Sequence, residues 1–168
     1  YLRYRRPLWN DTLVVVSADH GEEFGEHGGK THAHTCYRES VHVPLVVRVP
    51  GFEPARIDTQ VALVDVVPTV LELLGKTDAA EGLSGRSLLI PALEGPSAPP
   101  RAAFCSVINQ KDKPFHFSAV RAGGFTLIED ELDHRIQLYD QVRDPEEQRN
   151  IADQPQQAPR IEAMRALS

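Results

Sequence analysis

Two apolar runs dominate the first third of the chain. Residues 12–17, Thr-Leu-Val-Val-Val-Ser, form an unbroken β-branched and apolar stretch behind the turn signal Asn10-Asp11. Residues 43–51, Val-Pro-Leu-Val-Val-Arg-Val-Pro-Gly, form a second run, closed by Pro50-Gly51. Neither alternates with polar residues, and such uninterrupted runs are expected of parallel strands buried on both faces. Over residues 61–75 the period changes. Asp65 is placed to cap a helix, and Pro68 is tolerable in its first turn. Val67, Val70, Leu71 and Leu74 repeat at the i, i+3, i+4, i+7 spacing of one buried face, and Gly75 ends the element. Strand, loop, strand and helix in this order predict an α/β layer architecture.

A looser, proline-rich stretch over residues 76–101 reads as a long surface connection. After it, residues 115–130 place two strand-like runs around Gly123-Gly124, the signal of an antiparallel hairpin. Residues 135–140 add a third short strand, residues 143–150 are turn chemistry, and residues 160–167 predict a terminal helix. The chain therefore divides into a piece of an α/β core, residues 1–95, and a small antiparallel β subdomain with a terminal helix, residues 96–168. There is no internal repeat.

Composition narrows the function. The 168 residues are 41 % hydrophobic and 25 % charged, as in ordinary globular domains. No apolar run approaches the roughly 20 residues that a transmembrane helix needs. A net charge of −6 argues against a nucleic-acid surface. The one basic cluster, Arg3, Arg5 and Arg6, reads as a solvated segment end. Two cysteines, Cys36 and Cys105, do not make a disulfide framework, and a single bridge between them stays open. The chain begins at Tyr1 without a methionine or a signal-peptide pattern, so an interior cut of a longer polypeptide is expected.

Chemistry concentrates in residues 17–34, which hold Asp19, three glutamates, four glycines and four of the seven histidines. A loop that follows a strand puts its first residues at the carboxyl end of the sheet, where open α/β folds keep their ligands. Asp19 and His20 would sit there as metal ligands. The imidazole favours manganese, iron or zinc, whereas carboxylate alone suits calcium or magnesium. Gly21 would let the backbone turn tightly beside the ion. His32 and His34 alternate as in an extended segment, so both could point the same way. With Lys30 they could bring cationic or proton-donating groups to an anionic substrate. Glu22, Glu23 and Glu26 read as mostly solvated loop carboxylates, with partnership to histidine nitrogens as the alternative.

The segments NDTLVVVSADHGEEFGEHGG and HAHTCYRESVHVPLVVRVPG together resemble the C-terminal half of the sulfatase family, within the alkaline phosphatase superfamily. The likeness continues through VALVDVVPTVLELLG and GRSLL to QLYDQVRDPEEQRNIAD. It implies part of an alkaline-phosphatase-like parallel-sheet core followed by the small antiparallel subdomain. It matches Asp19 and His20 to the family's second pair of metal ligands. Many sulfatases carry Asp-Asn there and bind calcium; the Asp-His form also occurs in choline-sulfatase-like enzymes and in phosphonate monoester and phosphodiester hydrolases. One divalent ion is implied, calcium, or manganese or zinc given the Asp-His pair. Many members place a sulfate-contacting lysine just before the element matched by Tyr37; here His34 and His32 are the candidates, with Lys30 behind them. Asp65 is implied as a structural cap.

The family's nucleophile is a cysteine or serine in a Cys/Ser-x-Pro-x-Arg motif, converted to formylglycine, and neither Cys36 nor Cys105 fits it. The resemblance thus implies a C-terminal fragment of a metal-dependent sulfatase-type hydrolase, inactive without the N-terminal half of its parent chain. Its expected partner is a small anionic ester, sulfate or phosphate, with no nucleic acid and no transmembrane segment; a periplasmic or secreted location is implied. The alternatives are a phosphodiester or phosphonate hydrolase, a phosphotransferase, or a non-catalytic sulfatase-like module.

Overall fold

The two N-terminal apolar runs condense into short strands, β1 (Val14–Ser17) and β2 (Leu45–Arg48). The computed structural model describes residues 6–89, 92, 101–110 and 114–167, and within these the two strands pair with each other antiparallel, Val16 opposite Val46. The parallel, doubly buried arrangement expected from their composition is not what this pair adopts. An apolar run reports a demand for burial on both faces; it carries no information about the direction of the neighbouring strand. Val16 and Val46 share one face and remain 56 % and 60 % exposed. Among the described residues the pair is accompanied by short helices that include α1 (Arg6–Asn10), α2 (Arg38–Val41) and α3 (Val66–Leu73).

Asp65 stands at the N-cap position of α3, as expected, but its side chain makes no capping hydrogen bond to that helix. It is 0 % exposed. Its carboxylate accepts the Ala62 and Arg86 backbone N–H groups at 2.8 and 2.9 Å and the Arg101 guanidinium at 2.6 and 2.7 Å. One turn along the helix, the Thr69 hydroxyl donates to the Asp65 carbonyl and accepts the Leu88 N–H at 2.8 Å. These contacts hold the segment around residues 86–88 against α3 and set the rotation of the helix. Pro68 and Thr69 are therefore buried, Val70 and Leu71 are half-buried, and Val67 and Leu74, expected on the buried face, are exposed. Spacing identified a helix but not which side a buried ion pair would turn inward.

The second sheet follows the alternation rule. β3 (Ala103–Asn109), β4 (Phe115–Ala122), β5 (Phe125–Asp130) and β6 (Arg135–Asp140) form an antiparallel meander in that order. Gly123 and Gly124, at φ 58° and 78°, make the two-residue turn between β4 and β5, where both positions need the left-handed region. Neighbouring residues point to opposite faces. Val120, Leu127 and Leu138 pack on one face against Ile161 and Met164 of α4 (Ala158–Arg165). Ala119, Ile128 and Tyr139 pack on the other against Cys36. The expected hairpin, third strand and terminal helix are thus all present. β3 was not anticipated: it is a seven-residue edge strand whose Phe104 and Ile108 face outward. The boundary expected between residues 95 and 96 lies outside the described residues, while Cys36 shows the first segment contributing directly to the core of the second sheet.

Removing the Asp65 carboxylate leaves a partly buried guanidinium and two backbone N–H groups without their acceptor. Asp65→Ala is expected to lower unfolding free energy by about 3 kcal/mol or more. Urea denaturation measures this, and a loss below about 1 kcal/mol, the range of surface pairs, would show that the pair does not set the helix.

Candidate active site

The loop between β1 and α2 is an ordered structure built on one buried carboxylate. Glu23 and Thr31 exchange backbone hydrogen bonds at 2.9 and 3.0 Å, which turns residues 23–31 into a miniature hairpin. Inside it, the buried Glu23 side chain accepts the His27 N–H at 3.1 Å, the Gly29 N–H at 2.6 Å and His34 Nε2 at 2.9 Å. Burial works to raise the Glu23 pKa, but the Gly29 amide, His34 and the His27 amide outweigh it and hold the carboxyl below its ordinary value. Glu22 lies beside His32 Nδ1 at 3.3 Å. Two of the three loop glutamates are therefore histidine partners, and of these Glu23 is buried while Glu22 stays partly solvated.

His27 fastens the hairpin to the rest of the molecule. Its Nδ1 lies 2.7 Å from Glu39 Oε1 on α2, and its Nε2 lies 2.8 Å from the Glu147 carbonyl oxygen. Both partners accept hydrogen bonds, so the ring donates at both nitrogens only as the imidazolium. It stacks on Tyr37 with centroids 3.7 Å apart, where the aromatic face favours a cation. Burial opposes the charge, but the Glu147 carbonyl and the Glu39 carboxylate prevail and raise the His27 pKa. Glu147 is itself buried: its carboxylate accepts Arg121 at 2.6 and 3.2 Å, Thr126 Oγ1 at 2.6 Å and the Arg38 N–H at 2.8 Å. His27, Glu39 and Glu147 were not singled out by the sequence; the only available signal was a fourth histidine with no assigned task.

The structure divides the expected site residues into two groups. Asp19, 90 % exposed at its side chain, and His20 follow the end of β1. His32 stacks on His20 with ring centroids 4.0 Å apart. His34 is elsewhere: its Nε2 is bound to Glu23 and its Nδ1 lies 3.2 Å from the His32 carbonyl. The expectation that His32 and His34 point the same way fails because Ala33 between them has φ 61°, and the preceding Thr31 has φ 79°. A left-handed residue breaks the two-residue alternation of an extended segment. Lys30 is exposed beside the Glu23–Thr31 bridge and forms no ion pair with these groups among the described residues. His34 instead lines a cavity of about 400 Å³ with Glu23, Tyr37, Phe117 and Gln137, between the loop and the second sheet.

Gly21 is required for a reason other than a tight turn beside an ion. A Cβ there would lie 1.9 Å from the Glu39 carbonyl oxygen, and the Gly21 N–H donates to Ser40 at 2.8 Å. The backbone after His20 is thus pressed onto α2.

Asp19 and His20 bring together a carboxylate and an imidazole, the donor types that divalent transition metals take. His20 Nδ1 lies 2.8 Å from the Gly21 carbonyl oxygen, an acceptor for a proton on that nitrogen, and Nε2 lies 3.8 Å from Asp19 Oδ2. Outer-sphere carbonyl contacts of this kind fix the tautomer of a metal-binding histidine. Among the described residues, no group of three or more histidine, cysteine, aspartate or glutamate side chains is arranged to hold an ion.

Comparison with known proteins places this arrangement. The sulfatase family model matches residues 4–76. Arylsulfatase K of Xenopus laevis is 33 % identical over 158 residues, which is 88 % of this chain and 29 % of that protein. The delta 4,5-hexuronate-2-O-sulfatase of Bacteroides thetaiotaomicron is 28 % identical over 98 % of the chain and 35 % of its own length. The solved structure of a phosphonate monoester hydrolase of Silicibacter pomeroyi superposes with a TM-score of 0.81 at 26 % identity, covering 98 % of this chain and 35 % of that one. Over residues 4–76, and in its likeness to sulfatases along nearly its whole length, the chain is similar to the C-terminal region of sulfatase-type hydrolases. It spans about a third of the length of the relatives it matches.

The pH dependence of the loop follows from its two shifted groups. His27 contributes stability that is complete below its unfolded pKa of about 6.5 and is lost as pH rises through its raised folded value. Glu23 contributes stability present above its unfolded pKa of about 4.3 and lost as pH falls through its lowered folded value. Hydrogen-exchange protection factors of the Gly29 and Arg38 amides are expected to peak between about pH 4.5 and 6.5 and to fall as pH rises through the raised His27 value. His27→Gln should flatten the alkaline limb; protection that stays level across that limb in the wild type would contradict the imidazolium assignment.

Proposed function

We propose that this chain is the C-terminal part of a metal-dependent sulfuric ester hydrolase, with Asp19 and His20 supplying two ligands to one divalent cation and His32 facing the substrate. The observation that carries this reading is the exposed cluster at the carboxyl end of β1, where Asp19, His20 and the stacked His32 converge. His32 keeps Glu22 at its Nδ1, an arrangement suited to presenting Nε2 to an anionic oxygen. His34 has both nitrogens engaged, so its role is to position the loop through Glu23, and the exposed Lys30 adds a positive charge to the same loop. The metal, calcium, manganese or zinc, supplies polarisation of the sulfuryl oxygens when bound. His32 stabilises charge on the transferred group or protonates the leaving oxygen.

The nucleophile, expected as formylglycine, belongs to the part of the parent protein outside this chain. The exposed Val16–Val46 pair supports dependence on that part: two β-branched residues opposite each other on one sheet face call for an apolar cover. The substrate is a small anionic sulfate ester, as the sulfatase relatives suggest. A second reading, hydrolysis of phosphonate or phosphate esters, is favoured by the likeness to the phosphonate monoester hydrolase and by a histidine at the second ligand position. A ratio of kcat/KM for an aryl sulfate against an aryl phosphonate separates the two readings.

The parent enzyme carrying His32→Ala is expected to lose about 100-fold or more in kcat on an aryl sulfate while remaining folded. His34→Ala should lower Tm and loop protection together with activity. Asp19→Asn should reduce bound metal, measured by elemental analysis. Near-normal kcat in His32→Ala with intact metal content would remove His32 from the chemistry.

A further inference from the structure

Outside the candidate site, one pair of reactive side chains has no assigned task. Cys36 and Cys105, 69 residues apart in sequence, meet with their sulfur atoms 3.1 Å apart. Both are free thiols. Cys36 is fully buried in the cluster with Ala119, Ile128 and Tyr139, and its sulfur also lies 3.8 Å from the Phe117 carbonyl oxygen. Cys105 is on the edge strand β3, opposite Ala119, and is half-buried. The two thiols therefore differ in access: a reagent from solvent reaches Cys105 first, and Cys36 waits beneath it.

We propose that Cys36 and Cys105 form a redox-active pair that closes to a disulfide when a small-molecule disulfide, such as oxidised glutathione, reaches Cys105. The surroundings assign the roles. The Cys36 thiol beside it and the nearby Arg121 charge hold Cys105 below its ordinary pKa, although burial works the other way. Cys105 and burial push Cys36 up, so it remains the protonated partner until the second step. Arg121 stands at the pair with its guanidinium donating to the Cys36 carbonyl at 3.1 Å.

In the first step the Cys105 thiolate attacks one sulfur of the oxidant, forming a mixed disulfide and releasing one small thiol. In the second, the Cys36 sulfur, losing its proton, attacks Cys105, forms the Cys36–Cys105 bond and releases the second thiol. Two electrons and two protons pass from the protein to the oxidant, which is reduced to two thiols. The bond joins the segment that carries His32 and His34 to β3, because Cys36 lies two positions after His34.

The test treats the folded full-length protein with oxidised glutathione, alkylates the remaining thiols, and digests without reduction for mass spectrometry. A cross-linked peptide joining Cys36 to Cys105, absent after reduction, is the expected result. In Cys36→Ser, Cys105 should retain glutathione as an unresolved mixed disulfide; in Cys105→Ser, Cys36 should stay unmodified until the protein is denatured. Recovery of both wild-type thiols as alkylated, unlinked peptides would overturn the proposal. So would a stable glutathione adduct on Cys105 in the wild type. The wild-type outcome decides the matter even if a variant fails to fold.

Discussion

The Arg121–Glu147 ion pair is the interaction on which the site loop depends. Glu147 is 1 % exposed, and a carboxylate so placed is tolerable only when its lone pairs are all engaged by charged or well-aligned donors. Arg121, Thr126 and the Arg38 amide meet that demand, and each arrives from a different element, β4, β5 and the start of α2. The backbone carbonyl of the same residue holds His27. One residue in a turn, at a left-handed φ of 54°, thus locks the second sheet, α2 and the histidine hairpin together.

The four loop histidines divide their labour according to which acceptors the fold gives them. His27 and His34 each have carboxylate and carbonyl partners and serve as ties. His20 and His32 stack on each other near the exposed Asp19 and present nitrogen atoms outward. A loop has no ladder of backbone hydrogen bonds to hold it, so a site that must keep polar groups exposed needs other polar groups inside as struts. Glu23 and Glu147 are those struts.

Much of this architecture was legible in the sequence where a local rule acts alone. Gly123-Gly124 required a tight turn, alternation along residues 115–140 defined the strands, and strand-then-loop placed Asp19 and His20 at a sheet end. What could not be read depended on long-range pairing. The apolar runs at β1 and β2 gave no direction of pairing. Val67 and Leu74 looked buried because periodicity cannot see Arg101 reaching Asp65 from 36 positions away. His32 and His34 looked aligned because nothing in an Ala33 between them announces a positive φ. β3 went unseen because an edge strand next to a proline-rich stretch carries only a weak alternating signal.

The His27–Glu147 contact joins residues 120 positions apart. A ribosome adds residues from the N-terminus, so the hairpin that carries His27 is made long before the turn that receives it. Until β4, β5 and that turn have emerged, the imidazole, Tyr37 and the Arg38 amide have no common anchor. Asp19 and His20 need no such wait, since their local contacts close within a residue or two. The two halves of the loop therefore mature at different moments in the life of the nascent chain, the outward-facing pair first and its support last.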